Sequence, residues 1–197
     1  MKKSLSAKIN APEVLEKQLK QRAMKNEYGI IFISSATEAW QPIEGKLNLT
    51  RKLLEIILKY KFPIHCQTKS NLILRDLDLL EKIDKVAILP KDLKNKLKGG
   101  VIISFSFSTL DENLAKILEP GALAPKERLE TMRKCREDGF LTGICYIPVL
   151  PYLSDSEEKL DEMIKTAKEY GVNFVLVGAL TFLAINQQIA KLFITNF

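Results

Sequence analysis

Short apolar runs alternate with amphipathic stretches along the chain. Five runs are dense in Ile, Val, Phe or Leu and are bounded by Gly, Pro or polar residues, as is typical of buried parallel strands. They are residues 28–34, 63–68, 101–108, 141–149 and 172–177. Their first residues lie 31 to 40 positions apart, so each interval has room for a connecting helix.

The intervals between these runs carry helical patterns. Between Glu157 and Tyr170, apolar residues recur at the i, i+3, i+4, i+7 spacing of an amphipathic helix. Ser154 or Ser156 is suited to cap its start, and Gly171 is suited to end it. The other predicted helices are 12–24, 53–60, 72–83 and 128–136.

Strands that alternate with helices predict an α/β fold with a parallel sheet and right-handed crossovers. Only five strand–helix units fit into 197 residues, which excludes a closed eight-stranded barrel of about 250 residues. A doubly wound open sheet and a partial barrel both agree with this pattern. No G-x-G-x-x-G or G-x-x-x-x-G-K string follows the first strand, which disfavours a dinucleotide or P-loop site.

Composition limits the cellular location of the chain and the kinds of site that it can form. The longest mostly apolar stretch, 172–184, is too short to span a bilayer. The three cysteines, Cys66, Cys135 and Cys145, are odd in number and far apart, so they predict no disulfide framework and favour a reducing, cytoplasmic location. His65 is the only histidine, which excludes a metal site built from several histidines.

The formal net charge of +6 belongs mostly to the start of the chain. Residues 1–25 hold seven basic and two acidic residues, a net charge of +5, and the remaining 172 residues have a net charge of +1. A basic leader of this kind is either solvated or contacts phosphates through counterion release. Weak nucleic-acid contact through this leader is therefore one partner that the charge pattern allows.

Polar residues stand at the C-terminal ends of the predicted strands, where ligands bind in both candidate architectures. They include Thr37 and Glu38 after the first strand, Lys69 after the second, and Ser106 and Ser108 in the third. The two serines share one face of their strand because side chains alternate. Hydroxyls at such a place suit a ribose or a carboxylate, or they begin turns and cap helices.

Several short strings follow one another in a characteristic order. They are T-E-A-W-Q-P-I-E at 37–44, L-T-R at 49–51, T-K-S at 68–70, L-R-D-L-D-L-L at 74–80, S-F-S-T-L-D at 106–111, E-P-G-A at 119–122 and R-L at 128–129. The set resembles the spore photoproduct lyase-like, or DNA repair photolyase-like, branch of the radical S-adenosylmethionine proteins. The likeness runs from about Lys8 to Leu180.

The resemblance implies a partial (β/α)6-type TIM-like barrel, of which five βα units are present. It implies S-adenosylmethionine as cofactor, cleaved reductively at a [4Fe-4S] cluster to a 5′-deoxyadenosyl radical. It places Thr37 and Lys69 at the methionyl carboxylate, Ser106 and Ser108 at the ribose, and Glu119 with Arg128 at the polar rim. Glu38, which stands where the family has Asp, completes the predicted cofactor site.

The chain also departs from the family pattern. The three cluster cysteines, spaced C-x-x-x-C-x-x-C, would lie upstream of Met1, and the cysteines present are too scattered to replace them. The resemblance therefore implies a basic leader (1–27), a barrel core (28–181) and a divergent tail (182–197), a clipped core that we expect to be inactive alone. The alternatives are a non-catalytic binding or assembly module and an unrelated α/β nucleotide or phosphate binder. The sequence does not define the substrate.

The first predicted strand, 28–34, is apolar and uncharged. A strand of this kind at an open sheet edge pairs readily with other chains. We expect the helix at 12–24 to pack beside it, and the isolated chain to self-associate through this edge.

Overall fold

Five parallel strands form one sheet in the computed structural model, which describes residues 7–34 and 37–179. The strands are β1 (Ile31–Ile33), β2 (Ile64–Thr68), β3 (Val101–Phe107), β4 (Leu141–Val149) and β5 (Phe174–Ala179). Their order in the sheet is the order in the chain, β1-β2-β3-β4-β5, and every neighbouring pair is parallel.

This strand order decides between the two architectures that the sequence left open. A doubly wound sheet reverses its strand order at a switch point, and the order here never reverses. Consecutive right-handed crossovers place all connecting helices on one face of the sheet. The fold is therefore the predicted partial (β/α) barrel, with five strands among the described residues.

Seven α-helices and one 3-10 helix connect and precede the strands within the described residues. They are α1 (Ala11–Met24), α2 (Glu44–Leu47), α3 (Leu49–Tyr60), the 3-10 helix Asn71–Asp76, α4 (Leu77–Val86), α5 (Glu112–Leu118), α6 (Pro125–Glu137) and α7 (Glu157–Glu169). Ser156 caps α7, accepting a hydrogen bond from the Lys159 N–H at 3.3 Å, and Gly171 follows with a positive φ of 66°. The short helices α2 and α5 were not predicted, because four and seven residues are too few to show a periodic pattern.

The hydrophobic core lies between the sheet and the helices. Along β2, Ile64 and Cys66 are buried on the helix-facing side, whereas His65 and Gln67 face the other side and are half-buried. Buried side chains of α3, α4 and α6 complete this core, among them Leu54, Ile57, Leu80, Ile83 and Met132. Within the described ranges, no helix has both the length and the apolar character needed to cross a membrane.

The leader helix forms where it was predicted, and β1 lies at the edge of the sheet. The main partner of α1 is α3, where Lys59 pairs with Glu16 at 2.5 Å. A cleft of about 650 Å³ separates the first half of α1 from β1, so the helix borders the strand without closing over it. The predicted tail, 182–197, lies outside the described residues.

Candidate functional site

The C-terminal ends of the first three strands surround a polar cleft of about 250 Å³. Its lining residues are Ser34, Thr37, Glu38, Gln67, Thr68, Lys69 and Ser106. Four of them, Thr37, Glu38, Lys69 and Ser106, were predicted as site residues. Gln67 and Thr68 were not singled out, although their position at the end of β2 was a signal for them.

The other three predicted residues connect to the cleft through Lys69. Its ammonium donates to Glu119 Oε1 at 2.7 Å, and Ser108 Oγ donates to the same oxygen at 2.8 Å. The second oxygen, Oε2, accepts from Arg128 Nη2. The side chain of Glu119 is only 5% exposed, so one buried carboxylate holds three of the predicted residues together.

The charge of Glu119 is stabilised by its partners. Burial raises the pKa of this carboxyl group, but the hydrogen bond from Lys69 and the charges of Arg128 and Lys69 outweigh it, so the pKa lies below the ordinary value of 4.5. Two cations surround this one carboxylate, which gives these three side chains a net charge of +1, and Glu38 adds one negative charge to the lining of the cleft. The lysine side chain is 33% exposed, and an anion in the cleft can therefore reach it.

Arg128 is not part of the rim, contrary to the sequence-based expectation. Its side chain is 1% exposed because α6 carries it into the interior against β3. It donates to Leu123 O at 2.6 Å and to Ser106 O at 2.7 Å, and its guanidinium lies 5.3 Å from the centre of the Phe107 ring. The arginine therefore supports the cleft from beneath as a buried counter-charge.

Glu38 connects two loops at the mouth of the cleft. Its Oε1 accepts from Thr68 Oγ1 at 2.8 Å and from the Trp40 N–H at 2.9 Å, and its Oε2 accepts from the Lys69 N–H at 2.7 Å. The carboxylate thus binds the segment after β1 to the end of β2. Thr37, the residue before it, is exposed.

The alternating hydroxyls of β3 all have partners within the protein. Ser104 Oγ lies 2.8 Å from Nε2 of His65 on the face of the sheet away from the helices. Ser106 Oγ donates to Ile147 O at 3.3 Å, and Ser108 binds Glu119 as described. Of these hydroxyls, that of Ser106 belongs to the lining of the cleft.

A second polar cluster, which the sequence analysis gave no role, lies beside the cleft. Asp76 is fully buried and accepts from Trp40 Nε1 at 3.0 Å, from Arg51 Nη1 at 3.1 Å and from Arg75 Nη2 at 2.7 Å. Arg75 also donates to Glu44 O at 2.8 Å. Much of the family-like strings at 37–44, 49–51 and 74–80 therefore forms a structural network that fixes the loop after β1.

That network had one signal in the sequence. Charged residues stand in each of the short strings at 37–44, 49–51 and 74–80, and the first string also contains Trp40. These strings lie beside apolar helical residues, and charged groups are rarely buried unless they are paired. The pairing itself joins positions up to 36 residues apart, which no local pattern reports.

The three thiols do not form a cluster site. All three cysteines are buried, Cys66 toward the helices and Cys145, a neighbour of Ser106, toward the opposite face. Burial raises the pKa of each thiol, that of Cys135 to about 12. Among residues 7–34 and 37–179, no group of three His, Cys, Asp or Glu side chains is placed to hold a metal ion.

Comparison with known proteins finds relatives that are themselves uncharacterized. No family model matches the chain. It is 32% identical over 168 residues to the uncharacterized protein ORF301 of Acidianus two-tailed virus, covering 83% of this chain and 50% of that protein. It is 28% identical over 158 residues to the uncharacterized protein MJ0683 of Methanocaldococcus jannaschii, with coverages of 79% and 55%. The chain thus spans about half the length of these relatives.

Solved structures share the architecture. Streptococcus suis SuiB bound to S-adenosylmethionine matches with a TM-score of 0.58 and 17% identity, over 92% of this chain and 36% of that one. A spore photoproduct lyase mutant with bound AdoMet and dinucleoside spore photoproduct matches with a TM-score of 0.58 and 16% identity, over 87% and 48%. The described chain therefore shares its partial (β/α)-barrel fold with these two proteins.

Proposed function

We propose that this chain is an S-adenosylmethionine-binding barrel of the radical S-adenosylmethionine type, and that the polar cleft holds the cofactor. The observation that carries the proposal is the convergence of the predicted residues. Thr37, Glu38, Lys69 and Ser106 line one cleft, and the remaining three join it through the Glu119 carboxylate. Two solved proteins of this fold contain the same cofactor.

The chemistry of the cleft suits a ligand with a carboxylate and a ribose. Lys69 would bind the methionyl carboxylate, since its ammonium is the one cation among the described residues that line the cleft and is partly accessible. The hydroxyls of Thr37 and Ser106 and the amide of Gln67 would bind the ribose or the amino group. Glu38 would hold the lysine backbone in place, because its carboxylate already accepts the Lys69 N–H.

Binding of S-adenosylmethionine tests the proposal directly. We expect titration calorimetry to show saturable binding, and Lys69→Met to weaken it at least tenfold, about 1.4 kcal/mol. The fold should survive, because Arg128 and Ser108 still satisfy Glu119. Lys85→Met is the matched control, since it removes an exposed lysine paired with Glu81 on α4, remote from the cleft. Equal affinity of Lys69→Met and the unaltered chain would refute the site.

The cofactor's radical chemistry requires electron transfer from an iron–sulfur cluster, and the described residues do not fit one. Such a cluster normally takes thiolates at set spacing, whereas these thiols are buried on two faces of the sheet. We therefore assign no redox step to the described residues. The second candidate, a non-catalytic module that binds the cofactor or a related nucleoside, needs only the polar cleft that the described residues form.

Iron reconstitution tests whether the thiols of this chain can hold such a cluster. We expect the 197-residue chain, treated anaerobically with iron and sulfide and then desalted, to retain no [4Fe-4S] cluster and no visible charge-transfer absorbance. The reason is the burial and scatter of its thiols, which raises the cost of forming thiolates together. Stoichiometric iron that is lost in a triple Cys→Ala variant would contradict the expectation and restore the catalytic candidate.

A further inference from the structure

The connection between α4 and β3 carries an unusual number of exposed lysines. Lys91, Lys94, Lys96 and Lys98 are all exposed, and none of them pairs with a carboxylate in the part of the chain that the structure describes. The segment 90–98, here called the basic turn, contains a single acidic residue, Asp92. Its net charge is therefore +3 over nine residues.

Hydrogen bonds hold the basic turn in a defined shape. The N–H of Leu93 donates to Pro90 O at 2.9 Å, and the N–H of Leu97 donates to Leu93 O at 3.0 Å. The two leucines, four positions apart, are half-buried while the lysines around them are exposed. The segment thus exposes its cations to solvent more fully than its two leucines.

Both ends of the connection are attached to the body of the protein. The N–H of Ile88 donates to Lys61 O at 2.8 Å, and the N–H of Val101 donates to Asp84 Oδ1 at 2.8 Å. The first bond places the exposed Lys61 beside the connection. We call Lys61 together with the four lysines of the turn the basal basic patch.

The location of the patch separates it from the cofactor cleft. Lys61 and the basic turn lie just before β2 and β3, at the N-terminal edge of the sheet, whereas the cleft lies at the C-terminal edge. The patch also changes the charge balance that the sequence suggested. Together with Asp92 of the turn, the five lysines carry a net charge of +4, so the rest of residues 26–197 has a net charge of −3.

We propose that the basal basic patch binds the phosphate backbone of nucleic acid without sequence preference. Lysines act as point charges toward phosphates, and their unpaired state means that no internal ion pair has to be broken first. The two leucines of the turn are half-buried, so the turn lacks the fully exposed apolar face with which a helix enters a lipid surface. The proposal does not depend on S-adenosylmethionine binding, because the two sites are on opposite edges.

Fluorescence anisotropy with a labelled DNA duplex of arbitrary sequence tests this proposal. We expect the full chain to bind with a dissociation constant that rises steeply with salt, since each neutralised phosphate contributes about 0.9 to the slope of log K against log salt. The variant Lys91→Gln, Lys94→Gln, Lys96→Gln, Lys98→Gln should bind at least tenfold more weakly at about 50 mM salt, with a slope shallower by about 2 to 3. All the basic residues of 1–25 remain in that variant, so the loss measures the patch.

A charge-matched control distinguishes the patch from net charge. Lys116, Lys126, Lys134 and Lys168 are also exposed and form no ion pair among the described residues, and changing all four to Gln removes the same charge. We expect this control to bind the duplex nearly as well as the unaltered chain. Equal weakening by the two quadruple variants, or no duplex binding at all, would overturn the proposal. Patch-dependent binding to phosphatidylserine vesicles without duplex binding would also overturn it.

Discussion

Replacing Arg128 with methionine is expected to lower the free energy of unfolding by about 4 kcal/mol, because removing one partner of a buried ion pair leaves the other charge uncompensated. Glu119 would keep only Lys69 and Ser108 as donors, and the carbonyl groups of Leu123 and Ser106 would lose theirs. Urea denaturation measures the loss. If the cleft binds S-adenosylmethionine as proposed, its affinity should fall as well, since Lys69 would then be neutralised by Glu119.

Two further variants show whether the buried charge causes this effect. Arg133→Met removes an exposed arginine from the same helix and should cost less than about 1 kcal/mol. The double variant Arg128→Met with Glu119→Gln should cost clearly less than the sum of its two single changes, because the two residues interact directly. Additive costs, or an Arg128→Met no less stable than Arg133→Met, would show that the pair does not stabilise the fold.

The pH dependence of stability follows from the same carboxylate. Its pKa in the folded chain lies below 4.5, because Lys69 and Arg128 outweigh the effect of burial. A carboxyl group with a lowered folded pKa stabilises fully above its unfolded pKa and loses that contribution as pH falls through the folded value. The difference in unfolding free energy between the unaltered chain and Glu119→Gln should therefore be constant near neutral pH and shrink on acidification below about pH 4.5.

Replacing Asp76 with alanine is expected to cost about 3 kcal/mol, near the lower end for a broken buried pair. The change removes the shared acceptor of Trp40, Arg51 and Arg75, and the tryptophan is fully buried. The two arginine side chains are partly exposed, so water compensates some of their loss. This network fixes the loop that carries Glu38, so if the cleft binds S-adenosylmethionine as proposed, that binding should weaken too.

Asp78 is the matched control for this change. It binds the same Arg51 through two hydrogen bonds of 2.8 Å, but its side chain is 50% exposed. Exposed ion pairs contribute little, so Asp78→Ala should cost about 1 kcal/mol or less when measured by the same denaturation. A cost equal to that of Asp76→Ala would contradict the assignment of the buried carboxylate as the centre of the network.

Most helices and strands could be predicted from the sequence, because each long element has a recognisable pattern of apolar and polar residues. Strand β4 was predicted with its observed bounds, and α7 begins after Ser156, one of the two serines predicted to cap it. Strand β1 is shorter than its apolar run, covering three of the seven residues predicted, because apolar character continues beyond the residues that pair with β2. What the pattern left open was the sheet order, which depends on pairing between segments far apart in the sequence.

From the sequence, the candidate site could be predicted only as a set of residue types at the ends of strands. Parallel strands bring their C-terminal ends to one edge, and for this reason the sequence alone predicted that Thr37, Lys69 and Ser106 lie near one another. The sequence did not show which of the charged side chains are buried. The resemblance placed Glu119 with Arg128 at the polar rim, whereas both side chains are buried, because α6 carries Arg128 inward over β3.

The basic turn is a second case in which the sequence did not show how charged residues are arranged. Its lysines did not stand out in the sequence, because residues 26–197 together have nearly balanced charge and a count of charged residues ignores their positions in space. The sequence by itself determined the alternation of strands and helices, the polar strand ends and the scatter of the three thiols, since these are properties of neighbouring residues or of their number. Only the tertiary structure decided which carboxylates are buried between cations and which lysines gather at one edge, because electrostatic environment depends on distances that the chain sets by folding.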